Sequence, residues 1–401
     1  LSGHLDTRTA ATEIAHELAE SIGSTCDLAL MLGSYHHRAA FADAAATIRQ
    51  TIGPRVLLGT TAESVLGASA APLGVQDAAS MPLGRELEGL AGMTVLALKL
   101  PGVKLHPFSH VHTSPESKLD DPESVRRMIG FNDDLRAVLL LADPFSTPSP
   151  KLLDAIATCA PGRSVPIFGG LASGASQPGQ NVMVINEHTR PFGAVGVSIS
   201  GRVRIDHVVS QGCRSIGKPL IVTKCNNNVI IELGGRKPMQ ALQELAEGLS
   251  NDERELLSKG IFIGLVINEY KPRFGRGDFL IRNIMGMDKK TGAIAVGDML
   301  RVGQTIQFHV RDEGTADEDL QLLLDAQVMD EKPLAAMVFT CNGRGTKLFS
   351  QPNHDVQAIQ ERLGPIPLAG FFCAGEIGPI GERSFLHGHT VSAAIFRAIN
   401  K

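Results

Sequence analysis

Three loops in this chain place a glycine, small residues and then a polar or acidic residue in the same order. They are Leu58-Gly59-Thr60-Thr61-Ala62-Glu63, Phe168-Gly169-Gly170-Leu171-Ala172-Ser173-Gly174, and Ala369-Gly370-Phe371-Phe372-Cys373-Ala374-Gly375-Glu376-Ile377-Gly378. Glycines let backbone N–H groups approach a ligand closely, and the side chains beside them supply charge. Arg344, in Cys341-Asn342-Gly343-Arg344-Gly345, offers a guanidinium that grips a carboxylate through two parallel bonds, with Asn342 beside it. Glu376 could accept an ammonium group. That combination suits an amino acid or another small acid. Thr60, Thr61, Glu63 and Ser173 would line a second pocket in the amino-terminal half. The plainer alternatives are Arg344 bracing two loops through Glu376, and carboxylates and hydroxyls that only cap backbone amides.

Other residue sets carry weaker chemistry. Cys373, with His387 and His389 following closely, has the composition of a thiol nucleophile and its base, which requires a depressed thiol pKa. A buried small thiol is the alternative. Cys213 and Arg214 open the carboxy-terminal half at the expected domain junction, where a pocket or a hinge would sit. The polar stretch holding Asn268, Arg273, Arg276 and Asp278 reads as a solvated hairpin end, with a mobile lid as the alternative. His106, His110 and His112 lie close together, but neither a partner carboxylate nor helical spacing makes them a metal site.

Each loop closes a larger unit. A short apolar strand (28–32, 137–141 or 335–339) leads through a turn into a helix, then into the strand that ends at the loop. A third apolar strand follows (94–100, 194–199 or 391–396). First strand and loop glycine lie about 32 residues apart, the length of one supersecondary unit. The expected fold class is α/β: repeated strand-helix-strand-loop-strand units forming sheets covered by helices, in two domains. Between the second and third copies the pattern becomes strand-rich. A hairpin is expected around Asn226-Asn227-Asn228, a helix over 238–249, and strands at 261–268, 279–285, 293–296 and 305–310. The domain boundary is placed at 210/211. Residues 67–89 read as a surface excursion.

The 401 residues exceed one ordinary core, and 43% hydrophobic with 20% charged residues describes a globular chain. A net charge of −4 without a Lys/Arg cluster gives no reason to expect nucleic-acid binding. No apolar run reaches the roughly 18 to 20 residues of a bilayer span, so membrane insertion is not expected. Six scattered cysteines without a CxxC pair, and an amino terminus lacking the signal-peptide progression, point to a cytoplasmic protein with reduced thiols.

Gln211-Gly212-Cys213-Arg214-Ser215-Ile216-Gly217, Cys341 to Gly345, and Gly370 to Gly378 followed by Ser384 to Thr390 resemble the FIST sensory proteins of bacteria. The resemblance covers nearly the whole chain and implies a FIST N-like domain over 1–210 and a FIST C-like domain over 211–401. It further implies a small-molecule ligand, with amino acids among the candidates. The expected ligand-binding residues are Asn342, Arg344, Cys373, Glu376, Arg214, Thr61, Glu63 and Ser173. Some relatives bind haem and sense nitric oxide, but no CxxCH-type motif selects an axial ligand here. No cofactor is therefore expected in the leading reading. The chain has no room for an output domain, so signalling would pass through a separate protein. A cysteine-dependent enzyme is the least favoured alternative, and a partner-binding scaffold a further one.

Overall fold

The structure, a computed structural model, describes residues 1–69, 84–112, 118–160 and 162–399. Most of the excursion expected over 67–89 lies outside these residues. So does part of the polar stretch after His112.

One compact unit comprises Leu1–Val209, Gln321–Leu386 and Thr390–Lys401. Three copies of one pattern build it. In the first copy β1 (Cys26–Ser34) leads through α2 (Phe41–Ile52) to its parallel partner β2 (Pro54–Ala62), and β5 (Met93–Leu98) runs antiparallel on the other side of β1. The second copy repeats this with β7 (Leu135–Ala142), α4 (Ser149–Thr158), β8 (Ile167–Leu171) and β11 (Ala194–Gly201). The third uses β19 (Pro333–Cys341), α8 (His354–Leu363), β20 (Leu368–Cys373) and β23 (Val391–Arg397).

The copies exchange strands in a ring. Beyond its second loop, each sends a hairpin to the sheet of a neighbour. From the first copy, β3 (Val65–Ala68) with β4 (Arg85–Leu87) adds antiparallel to β20. From the third, β21 (Glu376–Ile380) with β22 (Arg383–His387) adds to β8. From the second, β9 (Met183–Ile185) with β10 (His188–Arg190) adds to β2. On the opposite edges β6 (Val103–His110) pairs with β11, and β12 (Arg204–Ser210) with β23. Each hairpin satisfies the edge that its host sheet would otherwise leave open.

Period-2 alternation explains why the first strands are apolar throughout. Leu28, Leu30 and Leu32, Leu139 and Leu141, and Met337 and Phe339 all enter one core shared by the three sheets. The intervening Ala29 and Met31 face α2 and α1 (Thr7–Ile22), while Val138 and Leu140 face α4 and α3 (Pro122–Ile129). A strand buried on both faces reads as a continuous hydrophobic run. At the centre Phe168 lies 6.3 Å from Phe339 and 6.4 Å from Phe396, and Phe339 lies 5.8 Å edge-on to Phe371. Such geometry adds about 0.5–1.5 kcal/mol per pair beyond the area buried.

The second unit, Ser210–Leu320 with His387–His389, is a closed six-stranded barrel. Its strands, in order around the barrel, are β13 (Cys213–Asn226), β14 (Val229–Leu233), β17 (Ile294–Val296), β16 (Phe279–Met287), β15 (Phe262–Val266) and β18 (Thr305–Arg311). The asparagine hairpin is present, with Asn227 at φ 51°. The helix expected over 238–249 is α5 (Pro238–Glu247), and an unexpected second helix, α6 (Asn251–Lys259), follows it, started by a capping box of Ser250 and Glu253. The chain leaves the barrel within α7 (Glu313–Val328). The compact units thus cut across the division into 1–210 and 211–401, since the third copy's sheet is completed by the first copy's hairpin. No described helix is long and apolar enough to cross a membrane.

Candidate functional site

The loop glycines fix a common register. A Cβ on Gly59 would stand 2.6 Å from the Met31 carbonyl oxygen, one on Gly169 1.9 Å from that of Leu140, and one on Gly370 1.9 Å from that of Val338. Each clash is with the residue paired to that glycine on the adjoining parallel strand. Glycine is therefore required by close backbone approach at one structural position, used three times.

From those pairs the equivalent positions follow directly. Four residues past the glycines stand Glu63, Ser173 and Ala374. Four residues past the carbonyls stand Tyr35, Pro144 and Asn342. All six line one open cleft of about 760 Å³ within the first unit, together with His36, Arg38, Phe145 and Gln180. The cleft therefore collects both loops of every copy, at the ends where the parallel strands finish. Sites outside the carboxyl ends of parallel strands are the usual ligand position in α/β sheets.

Hydrogen bonds tie the loop tips to one another. Glu63 N donates to Ser173 Oγ at 2.9 Å, and Ser173 Oγ donates in turn to the Phe372 carbonyl. Phe372 N reaches Ser64 O at 3.0 Å, Ala374 N reaches Leu171 O at 3.1 Å, and Asn342 N reaches Cys373 O at 3.0 Å. Side-chain charge comes from Glu63, whose Oε1 accepts from Lys347 Nζ at 2.7 Å, and from Arg38, whose Nη1 donates to Gln180 Oε1 at 3.3 Å. Asn342 Oδ1 is buried and accepts no hydrogen bond among the described residues.

The residues singled out from sequence separate into two groups. Glu63, Ser173 and Asn342 line the cleft. Thr61 is buried just beneath it, its Oγ1 accepting from Val182 N at 3.0 Å. Arg344 points the other way. It is fully buried, and its Nε and Nη2 donate to Asp355 at 2.8 and 2.7 Å, with the Phe349 ring 5.1 Å from its guanidinium carbon. Burial works against the charge of Asp355, but Arg344 and His354 hold its carboxyl well below the usual range. Arg344 thus has an internal carboxylate where the sequence suggested an external one.

Glu376 is fully buried and accepts from Thr390 N at 3.1 Å, so its carboxylate serves a backbone amide. Cys373 occupies the position of Ala62 and Ala172, three residues past the glycine, and like them it is wholly buried. Burial, and then the charge of Glu376, push its thiol well above the ordinary cysteine value. That is opposite to what a nucleophile needs. Arg214 belongs to the barrel unit and is held by Asp312 and Glu253 at 3.4 and 3.5 Å. The segment from Asn268 to Asp278 is an exposed turn closed by Lys271–Asp278, with Gly275 N bound to Asp278 Oδ2 at 2.9 Å. His110 is buried in β6, whereas His106 is exposed and contacts the Met128 carbonyl at 3.2 Å.

Sequence reasoning missed Tyr35, His36, Arg38, Phe145, Gln180 and Lys347. The signal was present. Tyr35 to Arg38 follow the first strand of their copy as Asn342 to Arg344 follow theirs, so comparing first-strand loops as well as second-strand loops would have found them.

The FIST N domain matches residues 27–236, and the FIST C domain matches residues 241–379. The chain is similar to the uncharacterized protein Rv0628c of Mycobacterium tuberculosis, with 38% identity over 394 residues, covering 97% of this chain and 96% of the relative. It is likewise similar to the uncharacterized protein Mb0898c of Mycobacterium bovis, with 38% identity over 397 residues, covering 98% and 96%.

Proposed function

This chain belongs to the FIST family, and from that premise we propose that its three-loop cleft binds a small polar metabolite carrying an acidic group, amino acids among the candidates, and that occupancy is read by a separate signalling protein. FIST domains are generally sensory. The observation that carries the reading is the convergence of Glu63, Ser173 and Asn342, one polar side chain from each copy, on one cleft. Arg38 takes the role first given to Arg344, and Glu63 the role first given to Glu376. A ligand touching all three copies would bind best to one arrangement of their loops, and only such a difference in affinity transmits a signal.

A thermal-shift screen of the whole chain against amino acids, small organic acids and haem tests this, with a Soret band as the haem readout. A ligand at a hundred times its dissociation constant adds about 2.7 kcal/mol of stability. A shift that Asn342→Ala and Glu63→Gln abolish supports the cleft. No shift with any class overturns ligand sensing and leaves a partner-binding scaffold.

A further inference from the structure

Two exposed aromatic rings stand in the cleft. Tyr35 is 49% exposed and Phe145 is 43% exposed, and they reach it from the first-strand loops of two different copies. Of the exposed rings Tyr35, Phe145, Phe192 and Tyr270, two line this one opening. Leaving a large ring in water forgoes the burial that ordinarily stabilises it, and a flat partner recovers that burial through offset or edge-on contact.

Charge narrows the partner. Glu63 is matched by Lys347, whereas Arg38 meets only the neutral Gln180 and pairs with no carboxylate among the described residues. The cleft therefore holds, with the two rings, a guanidinium that no described carboxylate pairs, and a guanidinium suits a carboxylate bidentately. Asn342 also lines the cleft, and its buried Oδ1 accepts no hydrogen bond among the described residues.

We propose that the cleft selects a planar aromatic carboxylate, its ring flanked by Tyr35 and Phe145 and its acid group on Arg38. This rests on the cleft being the ligand site and narrows the class of ligand.

The probe is 2-naphthoate, whose fluorescence is read directly because the chain lacks Trp. Titration of the full chain is expected to saturate at one site. Arg38→Ala should weaken it by about tenfold or more, the usual worth of a bond to a charged group. Tyr35→Ala and Phe145→Ala should each weaken it by about two- to tenfold. Cyclohexanecarboxylate, with the acid but without the aromatic ring, should compete at least about tenfold less well. All three variants alter exposed side chains, and melting curves confirm that they fold. Equal competition by cyclohexanecarboxylate, or naphthoate binding indifferent to all three variants, overturns the aromatic assignment. Amide resonances separate this failure from the broader one. If an aliphatic acid shifts Glu63, Ser173 and Asn342 while naphthoate does not, the cleft stands and the aromatic class falls. If no acid of either kind shifts them, both fall.

Discussion

Arg344 and Asp355 meet through two parallel hydrogen bonds of 2.8 and 2.7 Å, and neither side chain reaches solvent. Thr340 Oγ1 adds a third bond to the same carboxylate at 2.5 Å. The pair joins the loop after β19 to the first turn of α8, so the third copy's contribution to the cleft stands on an internal ion pair. Asn342, two residues from Arg344, lines the cleft on the same anchored loop.

Breaking that pair should cost stability before it costs binding. Removing one partner of a buried ion pair leaves the other charge without compensation, which is worth about 3–5 kcal/mol. Arg344→Met and Asp355→Leu should each lower the urea midpoint accordingly, and the double variant should regain much of the loss. Asn342→Ala should stay within about 1 kcal/mol of the parent while losing ligand response. Single variants as stable as the parent would remove the anchoring role.

The repeat was legible because glycine, apolar strand and helix recur in a fixed order, and strands buried on both faces cannot hide their hydrophobicity. The ring of exchanged hairpins was not. Pairing Leu66 with Gly370 is decided by two distant segments jointly, and nothing local to Val65–Ala68 names its host. The partner of Arg344 left a fainter mark. Asp355 lies on the face of α8 that also buries Ile359, so a carboxylate stands on an apolar stripe. A charge there needs a buried counter-charge, and Arg344 is the nearest preceding arginine. Reading Arg344 as a ligand-binding group failed for want of that comparison.

Glu86, on β4, makes stability depend on pH. Burial, and then the Asp355 charge, push its carboxyl up to about 8, with Glu88 adding to the rise and a bond from Val356 N at 3.0 Å opposing it. Arg344 is the cation of the same cluster. Between the ordinary glutamate value of 4.5 and about 8, the folded chain holds a proton that the unfolded chain has released. Stability from this group is therefore full below 4.5 and falls as pH rises, by at most about 1.4 kcal/mol per pH unit. Glu86→Gln removes the titration. Its melting temperature relative to the parent should rise from pH 5 to pH 8, and a constant difference across that range would refute the assignment.

The loop glycines should rank by their clearances. An added methyl at Gly370 or Gly169 would stand 1.9 Å from a backbone carbonyl, whereas at Gly59 the distance is 2.6 Å. Gly169 also has φ +143°, which a side chain rarely adopts. Overpacking typically costs about 1–3 kcal/mol, and strain from a disfavoured backbone conformation adds to it. Denaturant titrations of the three Gly→Ala variants should show Gly59→Ala as the mildest. A larger loss at Gly59 than at Gly370 would mean that the copies do not share the register described.

Cys373 should behave as a core methyl-sized group and not as a reagent. It is fully buried, its Sγ lies 3.5 Å from the Phe371 carbonyl, and a Cβ on Gly170 would fall 2.4 Å from it, so sulfur fills the space beside that glycine. Iodoacetamide applied to the native chain at neutral pH should modify Cys213, Cys225 and Cys341, which are partly exposed, well before Cys26, Cys159 and Cys373. Peptide mass spectrometry gives the order. Cys373→Ala should leave ligand response intact and cost no more than about 2 kcal/mol, since alanine already occupies the equivalent position in the other two copies. Alkylation of native Cys373 faster than a free model thiol would require a thiolate there and would revive a cysteine-dependent reaction.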